Sequence, residues 1–254
     1  MRKNKHSNNT HQSRNRESGN AFLFILIGIV LFASITFIMS RGMRTEGVSK
    51  ISEREAALAT ADILAFSKKI ENAVSRLRRN GCSESQLNFE NDIVSGYVNT
   101  NAPSDDSCDI FGPITTLRYT APQTSWNDAT YSASAYYNEW ALIGTSSIND
   151  VGTQTGSCAS ASCADLILLM PYVKKDLCMM INNKLGVQNG TSDAPRDSGI
   201  NAVKFIGTFT HTSYRLGDEA GTSANLAGKP AGCYSVLRGS GDIVHHYYFT
   251  VLAR

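Results

Sequence analysis

The most prominent pattern in the chain is a run of nineteen uncharged residues, 21–39, close to the amino terminus. At about 1.5 Å per residue, a helix of that length covers a hydrocarbon core of about 30 Å. Apolar side chains occupy every face of it, whereas a helix on a protein core needs only one apolar face. The pattern therefore predicts a transmembrane helix over residues 20–40. A cleaved secretory signal would have a shorter apolar core of about 7 to 15 residues.

An amphipathic pattern follows a polar hinge over residues 41–51. Ser52 and Glu55 have the spacing of a capping box, which marks the start of a helix. Apolar residues then recur at intervals of three and four, which places them on one helical face: Ile63, Phe66, Ile70, Ala73 and Leu77. Gly81 is suited to the left-handed conformation that ends many helices. We expect a stem helix over residues 52–81 that packs one face on a globular head.

The remaining residues, 82–254, have the texture of a β-rich domain. Short strand-forming runs are separated by polar and glycine-rich clusters, which predicts antiparallel strands at 116–120, 129–142, 203–214, 233–238 and 243–252. One helix is predicted over residues 172–185, with Pro171 in its first turn and Gly186 as its stop. The expected fold class is α+β: an amino-terminal transmembrane helix that continues into a stem helix packed on an antiparallel β-sheet head.

The charge of the chain is nearly balanced, with 24 Lys and Arg against 22 Asp and Glu among 254 residues. Nucleic-acid-binding domains usually concentrate a basic excess on one face, so no nucleic-acid partner is expected. Residues 1–19 form a basic leader, in which five basic side chains stand against one acidic side chain. By the positive-inside rule this leader stays in the cytoplasm. The sequence thus predicts a single-pass inner-membrane protein with its head in the periplasm or outside the cell.

All six cysteines follow the apolar run, and an even number outside the cytoplasm indicates disulfides. Six cysteines allow fifteen pairings. We expect three local or helix-to-strand pairs: Cys82 with Cys108, Cys158 with Cys163, and Cys178 with Cys233. A zinc site is disfavoured because Cys158 and Cys163 have no second cysteine pair at finger spacing.

The sequence contains none of the phosphate-binding, serine-hydrolase or zinc-protease motifs. We therefore expect a non-enzymatic protein without a cofactor or a bound metal. His245 and His246 lie in a predicted strand, where their rings point to opposite faces and cannot share a metal. Asp105, Asp106 and the stretch 193–197 offer oxygen ligands for calcium, but turns commonly contain such acids and neither segment has the twelve-residue EF loop.

Aromatic residues are concentrated in two segments: Tyr131, Tyr136, Tyr137 and Trp140 in the first, and Tyr247, Tyr248 and Phe249 in the second. In alternating strands such residues mostly fill a core or pair across strands. A surface subset would instead bind a sugar or a partner protein, because tyrosine and tryptophan are enriched at interfaces. The sequence favours the core interpretation.

A basic leader ends at Gly19 and an apolar helix begins directly after it, followed by a stem helix and a cysteine-bearing β-rich head. This layout of the chain resembles that of a type IV pilin or pseudopilin. The resemblance implies that a leader peptidase cuts between Gly19 and Asn20. Family members usually carry a glutamate at the fifth mature position, where this chain has Phe24. Some tip-located minor pseudopilins share that departure.

The resemblance implies a minor or tip-located structural subunit of a type IV pilus or a type II secretion-like filament. Its expected partners are membrane lipid and other pilin-like subunits, which it would meet through the amino-terminal helix. Two alternatives remain open. One is a bitopic membrane-anchored envelope protein whose head binds a partner without forming filaments. The other is a membrane-anchored hydrolase with a divergent site.

Overall fold

The computed structural model describes residues 25–30, 52–152, 161–210 and 214–254. The chain divides into two compact units, Met1–Lys50 and Ile51–Arg254. In the first unit, residues 25–30 are helical and all six are exposed. The second unit contains two longer helices and a five-stranded sheet.

The predicted transmembrane helix over residues 20–40 requires a correction, and so does the predicted inner-membrane location. Within the described ranges, no helix is both long enough and apolar enough to cross a membrane. The helical residues 25–30 rise only about 9 Å at 1.5 Å per residue, far short of a hydrocarbon core of about 30 Å. The rest of the predicted span, the leader 1–19 and the hinge 41–51 lie outside the described residues. The described fold is mixed helix and sheet without a spanning helix.

Helix α1 spans Glu53–Arg79, and the predicted capping box at its start is confirmed. The Ser52 side chain accepts a hydrogen bond from the Glu55 backbone N–H, and the Glu55 carboxylate accepts one from the Ser52 N–H. Such a cap stabilises a helix by about 1 kcal/mol. The predicted apolar stripe is buried along its whole length. The helix therefore lies with one face against the rest of its unit.

The sheet has five strands: β1 (Ala141–Ile148), β2 (Asp165–Pro171), β3 (Arg215–Leu216), β4 (Ala231–Leu237) and β5 (Ile243–Leu252). Their order is β3-β1-β2-β5-β4. The pairs β1–β2, β2–β5 and β5–β4 run antiparallel, but the short β3 runs parallel to β1. The prediction of a purely antiparallel head is therefore wrong at this edge.

The strand predictions succeed at the carboxyl end of the chain and fail earlier. Strand β5 matches the predicted 243–252, and β4 begins two residues before the predicted 233. Segments 116–120 and 203–214 form no strand among their described residues, and 211–213 lie outside them. Only the last two residues of 129–142 belong to β1, because Tyr136 and Asn138 adopt positive φ angles of 62° and 56°, which interrupt an extended chain.

Helix α2 spans Lys175–Leu185 and ends at Gly186, the predicted stop, which takes a left-handed conformation at φ 69°. It begins three residues later than predicted. Pro171 is the last residue of β2 rather than part of the first helical turn, and Tyr172 has a positive φ of 58°. A residue in that conformation cannot continue into a right-handed helix.

The two faces of the sheet are covered differently. Helices α1 and α2 pack on one face, where side chains such as Leu168, Met170 and Tyr247 are fully buried. The other face buries Ile167, Leu169 and their neighbours mainly beneath irregular segments, together with the short 3-10 helix Gly221–Leu226. This loop-covered face contains the candidate site.

Two of the predicted disulfides form. Cys82 pairs with Cys108, and Cys178 on α2 pairs with Cys233 on β4. Cys163 is also disulfide-bonded. Cys158 lies outside the described residues, so its pairing with Cys163 stays a prediction.

Candidate functional site

A pocket of about 200 Å³ opens on the loop-covered face of the sheet. We call it the aromatic pocket. Its floor comes from three adjacent strands, and its cover comes from two loop segments. The strands contribute Leu169 and Pro171 of β2, Tyr234 and Val236 of β4, and His246 of β5, with Tyr172 just after β2. The loop segments contribute residues 135–136, and residues 198–200 and 202. The pocket therefore depends on the strand order of the whole sheet.

Strand register lines up the floor of the pocket. His246 pairs with Pro171 on one side and with Tyr234 on the other, so these three residues form one row across the sheet. Leu169 and Val236 lie two residues along their strands from Pro171 and Tyr234. Because side chains alternate between faces, they point to the same side.

Aromatic rings surround the pocket in a continuous cluster. The Tyr172 ring stacks on Tyr131 at a centroid distance of 5.2 Å and meets His246 edge-on at 5.5 Å. The His246 ring lies 5.4 Å from Tyr234, and the Tyr137 ring lies 6.5 Å from Tyr172. Each such pair contributes about 0.5 to 1.5 kcal/mol beyond simple burial.

The backbone around the pocket is strained. Tyr136, Asn138 and Tyr172 have φ angles of 62°, 56° and 58°, a region that L-residues other than glycine rarely occupy. Each such residue costs about 1 to 3 kcal/mol, and strain of this kind is concentrated at functional sites. The buried Asn138 Oδ1 atom also has no hydrogen-bond partner among the described residues. The fold thus tolerates several unfavourable features beside one pocket.

His246 supplies a defined polar group to the pocket. Its Nδ1 accepts a hydrogen bond from the Tyr172 backbone N–H at 3.3 Å. Burial lowers the pKa of His246 to about 3, with further lowering from the nearby His245 and Arg238. The ring is therefore neutral near pH 7. With Nδ1 acting as an acceptor, the proton is on Nε2, which becomes a hydrogen-bond donor.

The cover of the pocket is fixed by hydrogen bonds. The buried Asp197 carboxylate accepts bonds from the backbone N–H groups of Gly199 and Gly217 at 2.9 and 3.0 Å, and from the Ser223 hydroxyl at 2.6 Å. The Tyr136 hydroxyl donates to the Ala202 carbonyl at 2.8 Å, which links the two covering segments. The pocket is therefore formed before any ligand binds.

His245 points to the opposite face from His246, as the strand alternation predicts. Its Nε2 lies 2.6 Å from Asp193 Oδ1, and Lys175 Nζ lies 3.8 Å from the other oxygen of Asp193. Ser235 pairs with His245 across the ladder, but its hydroxyl donates to the carbonyls of Ala194 and Pro195. The Ser235 hydroxyl is therefore bonded to backbone carbonyls and not to the histidine–aspartate pair.

Of the predicted loop acids, Asp197 supports the cover of the aromatic pocket, whereas Asp105 and Asp106 lie apart from it. Asp105 accepts a hydrogen bond from the Ser107 backbone N–H, while Asp106 and Asp109 line a separate cleft of about 570 Å³ with Arg118. Within the part of the chain that the structure describes, no group of three or more acidic, histidine or cysteine side chains is arranged to hold a metal ion. Gly19 and Asn20 lie outside the described residues, so leader cleavage stays a prediction.

The aromatic residues singled out in the sequence divide into two groups. Trp140, Tyr247 and Tyr248 are buried in the core and the partly buried Phe249 packs against it, as the sequence favours. Tyr131, Tyr136 and Tyr137 are only partly buried. Tyr136 lines the pocket, and the rings of Tyr131 and Tyr137 contact the lining residue Tyr172. Tyr172 and Tyr234 were not predicted from the sequence, and His246 had no predicted role. No local signal identifies them, because they meet only through the pairing of β2, β4 and β5.

Comparison of the chain with protein-family models, with curated proteins and with solved structures gives no match in any of the three. The class that the described part defines is a disulfide-bonded α+β unit, and any function must be argued from its own surfaces.

Proposed function

We propose that the chain is a non-catalytic, pilin-like structural subunit that associates with copies of itself through the apolar segment 21–39. The unit Ile51–Arg254 would be its globular head. The observation that carries this proposal is the exposure of the described part of the apolar segment. Five large side chains of the helical residues 25–30 remain half-exposed: Ile25 60%, Leu26 50%, Ile27 46%, Ile29 63% and Val30 55%.

Such a surface is unfavourable in water. Full burial of a large apolar side chain gains about 1.5 to 3 kcal/mol, so five half-exposed ones together forgo on the order of 5 kcal/mol. Packing against the same segment of another copy removes that surface from water. A contact of this kind that does not close into a ring repeats as an open filament. The residues whose exposure to water is unfavourable in a monomer would therefore form the contact between copies.

The unit Ile51–Arg254 has the features of a head that withstands exposure outside a reducing compartment. Its described disulfides join Cys82 to Cys108 and Cys178 to Cys233. Such bonds persist mainly in oxidising environments. Helix α1 is also joined to the sheet, because the Ser67 hydroxyl lies 2.8 Å from the Tyr247 hydroxyl. These features support a rigid structural part, and the layout resembles that of pilins.

Leader processing gives a direct test. Mass spectrometry of filaments isolated from the cells that naturally produce the chain should find Asn20 at the amino terminus. Gly19→Val should block cleavage and remove filaments seen by electron microscopy. The matched control Ser7→Val, within the same leader, should leave both unchanged. Assembled material that begins at Met1 would contradict the processing step, and abundant filaments formed by Gly19→Val would contradict its role in assembly.

A second candidate function is that of a partner-binding head that forms no filament, and the aromatic pocket favours it. The two functions give different results in one experiment. If the head acts alone, the full-length chain should remain dispersed under the electron microscope while its binding activity persists.

A further inference from the structure

We propose that the aromatic pocket binds one uncharged sugar ring, a hexopyranose unit of a glycan. Tyrosine faces would cover the C–H surface of the ring, while His246 and Ser198 would bond to its hydroxyl groups. This inference goes beyond the proposed function and does not depend on filament formation.

The size of the pocket selects a single ring. Its volume is about 200 Å³. A cavity of about 150 Å³ holds one benzene molecule, whereas pockets for drug-sized ligands begin at about 300 Å³. A six-membered ring with its substituents therefore fits, and an extended ligand would have only one unit inside.

The chemistry of the walls excludes a charged ligand. No aspartate, glutamate, lysine or arginine is among the lining residues. Tyr136, Tyr172 and Tyr234 contribute ring surface, and Leu169 and Val236 contribute aliphatic surface. A charge placed against such walls would lose its hydration without gaining a partner. The ligand should be neutral and should present at least one apolar face.

Two polar groups distinguish a sugar from a plain aromatic ring. His246 Nε2 carries a proton, and the only hydrogen bond of this side chain among the described residues is the one at Nδ1. The exposed Ser198 hydroxyl likewise has no partner within the described ranges, because the hydrogen bond of Ser198 is made by its backbone N–H to Glu219. An apolar ring would displace water from the Nε2–H without offering it a hydrogen-bond partner, which is unfavourable. Sugar hydroxyl groups would satisfy both groups.

The pocket is also arranged for binding without rearrangement. Asp197 holds the segment that carries Ser198 and Gly199, and the Tyr136–Ala202 bond fixes the opposite cover. The Tyr131 ring stacks on Tyr172 and lies beneath Arg238. Preformed sites lose less conformational entropy on binding, which raises the affinity of a small ligand.

The test uses the full-length chain and saturation-transfer NMR. The probes are methyl glycosides of glucose, galactose and mannose, together with N-acetylglucosamine and, as an uncharged aromatic competitor, p-cresol. At least one sugar should bind with a dissociation constant of about 1 mM, and its ring C–H protons should receive the strongest saturation. Failure of all four sugars at about 50 mM, well above that range, would overturn the proposal. Binding of p-cresol alone would overturn it in favour of an aromatic ligand.

Variants locate the binding. Ala135 is an exposed pocket-lining residue, so Ala135→Leu should obstruct the pocket without disturbing the core and weaken sugar binding at least tenfold. The matched control Ala61→Leu, at an exposed position of α1, should bind as the wild type does. Equal binding by Ala135→Leu and wild type would contradict the site.

His246→Phe keeps a ring in place and removes the Nε2–H donor, so affinity should fall about tenfold. Circular dichroism must show that His246→Phe is folded. If His246→Phe does not fold, Ala135→Leu alone tests whether the pocket binds the sugar. Filament assembly should be the same for Ala135→Leu as for the wild type. Loss of sugar binding with normal assembly therefore separates this proposal from the proposed function.

Discussion

At the scale of single residues, two shielded ionisable side chains respond to acid in opposite directions. Asp165 accepts backbone hydrogen bonds from Ile148 and Arg254, yet burial raises its pKa to about 6. The folded chain therefore binds a proton there more readily than the unfolded chain, which favours folding as the pH falls from about 6 to 4. The pKa of His246 in the folded chain is lowered to about 3. As the pH falls, the unfolded chain therefore binds a proton at His246 before the folded chain does. The contribution of His246 to stability is present near pH 7 and is lost as the pH falls through the interval from about 6.5 to 3.

The pH dependence of His246→Phe tests this assignment. Phenylalanine cannot titrate, so the stability of the wild type relative to the variant should fall by about 3 kcal/mol between pH 7 and pH 4. Urea denaturation at several pH values measures the difference. Asp165→Asn should show the opposite trend. As the pH falls from 7 to 4, the free energy of unfolding of the wild type should rise by about 2 kcal/mol relative to that of the variant. Differences that do not change with pH would show that neither side chain has the perturbed pKa.

At the scale of elements, the contact between α2 and β4 depends on one amide side chain and one disulfide. The Asn182 amide donates to the Cys233 carbonyl at 2.8 Å, and the Cys233 backbone N–H donates to the Asn182 Oδ1 at 2.7 Å. A helical side chain thus supplies the two hydrogen bonds that a neighbouring strand would otherwise make. The disulfide from Cys178 to Cys233 joins the same two elements.

Asn182→Leu should therefore be strongly destabilising. It leaves both backbone groups of Cys233 buried without a partner, at a cost of about 2 to 4 kcal/mol. Asn183→Leu, the same substitution at the exposed neighbouring position, should cost less than about 1 kcal/mol. Thermal and urea unfolding of the two variants give the comparison. Equal losses would mean that the Asn182 amide does not hold the helix on the strand.

The disulfides can be tested in the same way. Replacing Cys178 and Cys233 together by alanine opens a link between residues 55 apart, which should lower the free energy of unfolding by about 4 kcal/mol. The Cys82 and Cys108 pair, 26 apart, should contribute slightly less, about 3.5 kcal/mol. A loss below about 1 kcal/mol in the first variant would show that α2 is held by packing alone.

These elements were predictable from the sequence to different degrees. Helix α1 was accessible because Ser52, Glu55 and the apolar stripe are local signals. Strand β2 was missed because its run of apolar residues is buried on both faces and has no alternation. The aromatic pocket was out of reach for a different reason. Its row of Pro171, His246 and Tyr234 exists only through strand register, which the sequence does not state.

At the scale of the whole molecule, we propose that the apolar segment 21–39 drives self-association of a chain whose second unit is disulfide-bonded. The described helical residues 25–30 present large apolar side chains to solvent, and no membrane-spanning helix is found within the described ranges. Copies of the same segment offer a matching surface, since each exposes the same residues. We therefore expect concentration-dependent assembly of the full-length chain.

The most direct test is sedimentation velocity of the full-length chain in detergent-free buffer, beside the double variant Ile25→Asp/Ile29→Asp. The control is Leu58→Asp, because Leu58 is an apolar side chain of α1 that is 68% exposed and lies outside the segment. We expect large assemblies for the wild type and the control, and monomers for the double variant. A monomeric wild type, or a double variant that assembles as fully as the wild type, would contradict self-association through the apolar segment.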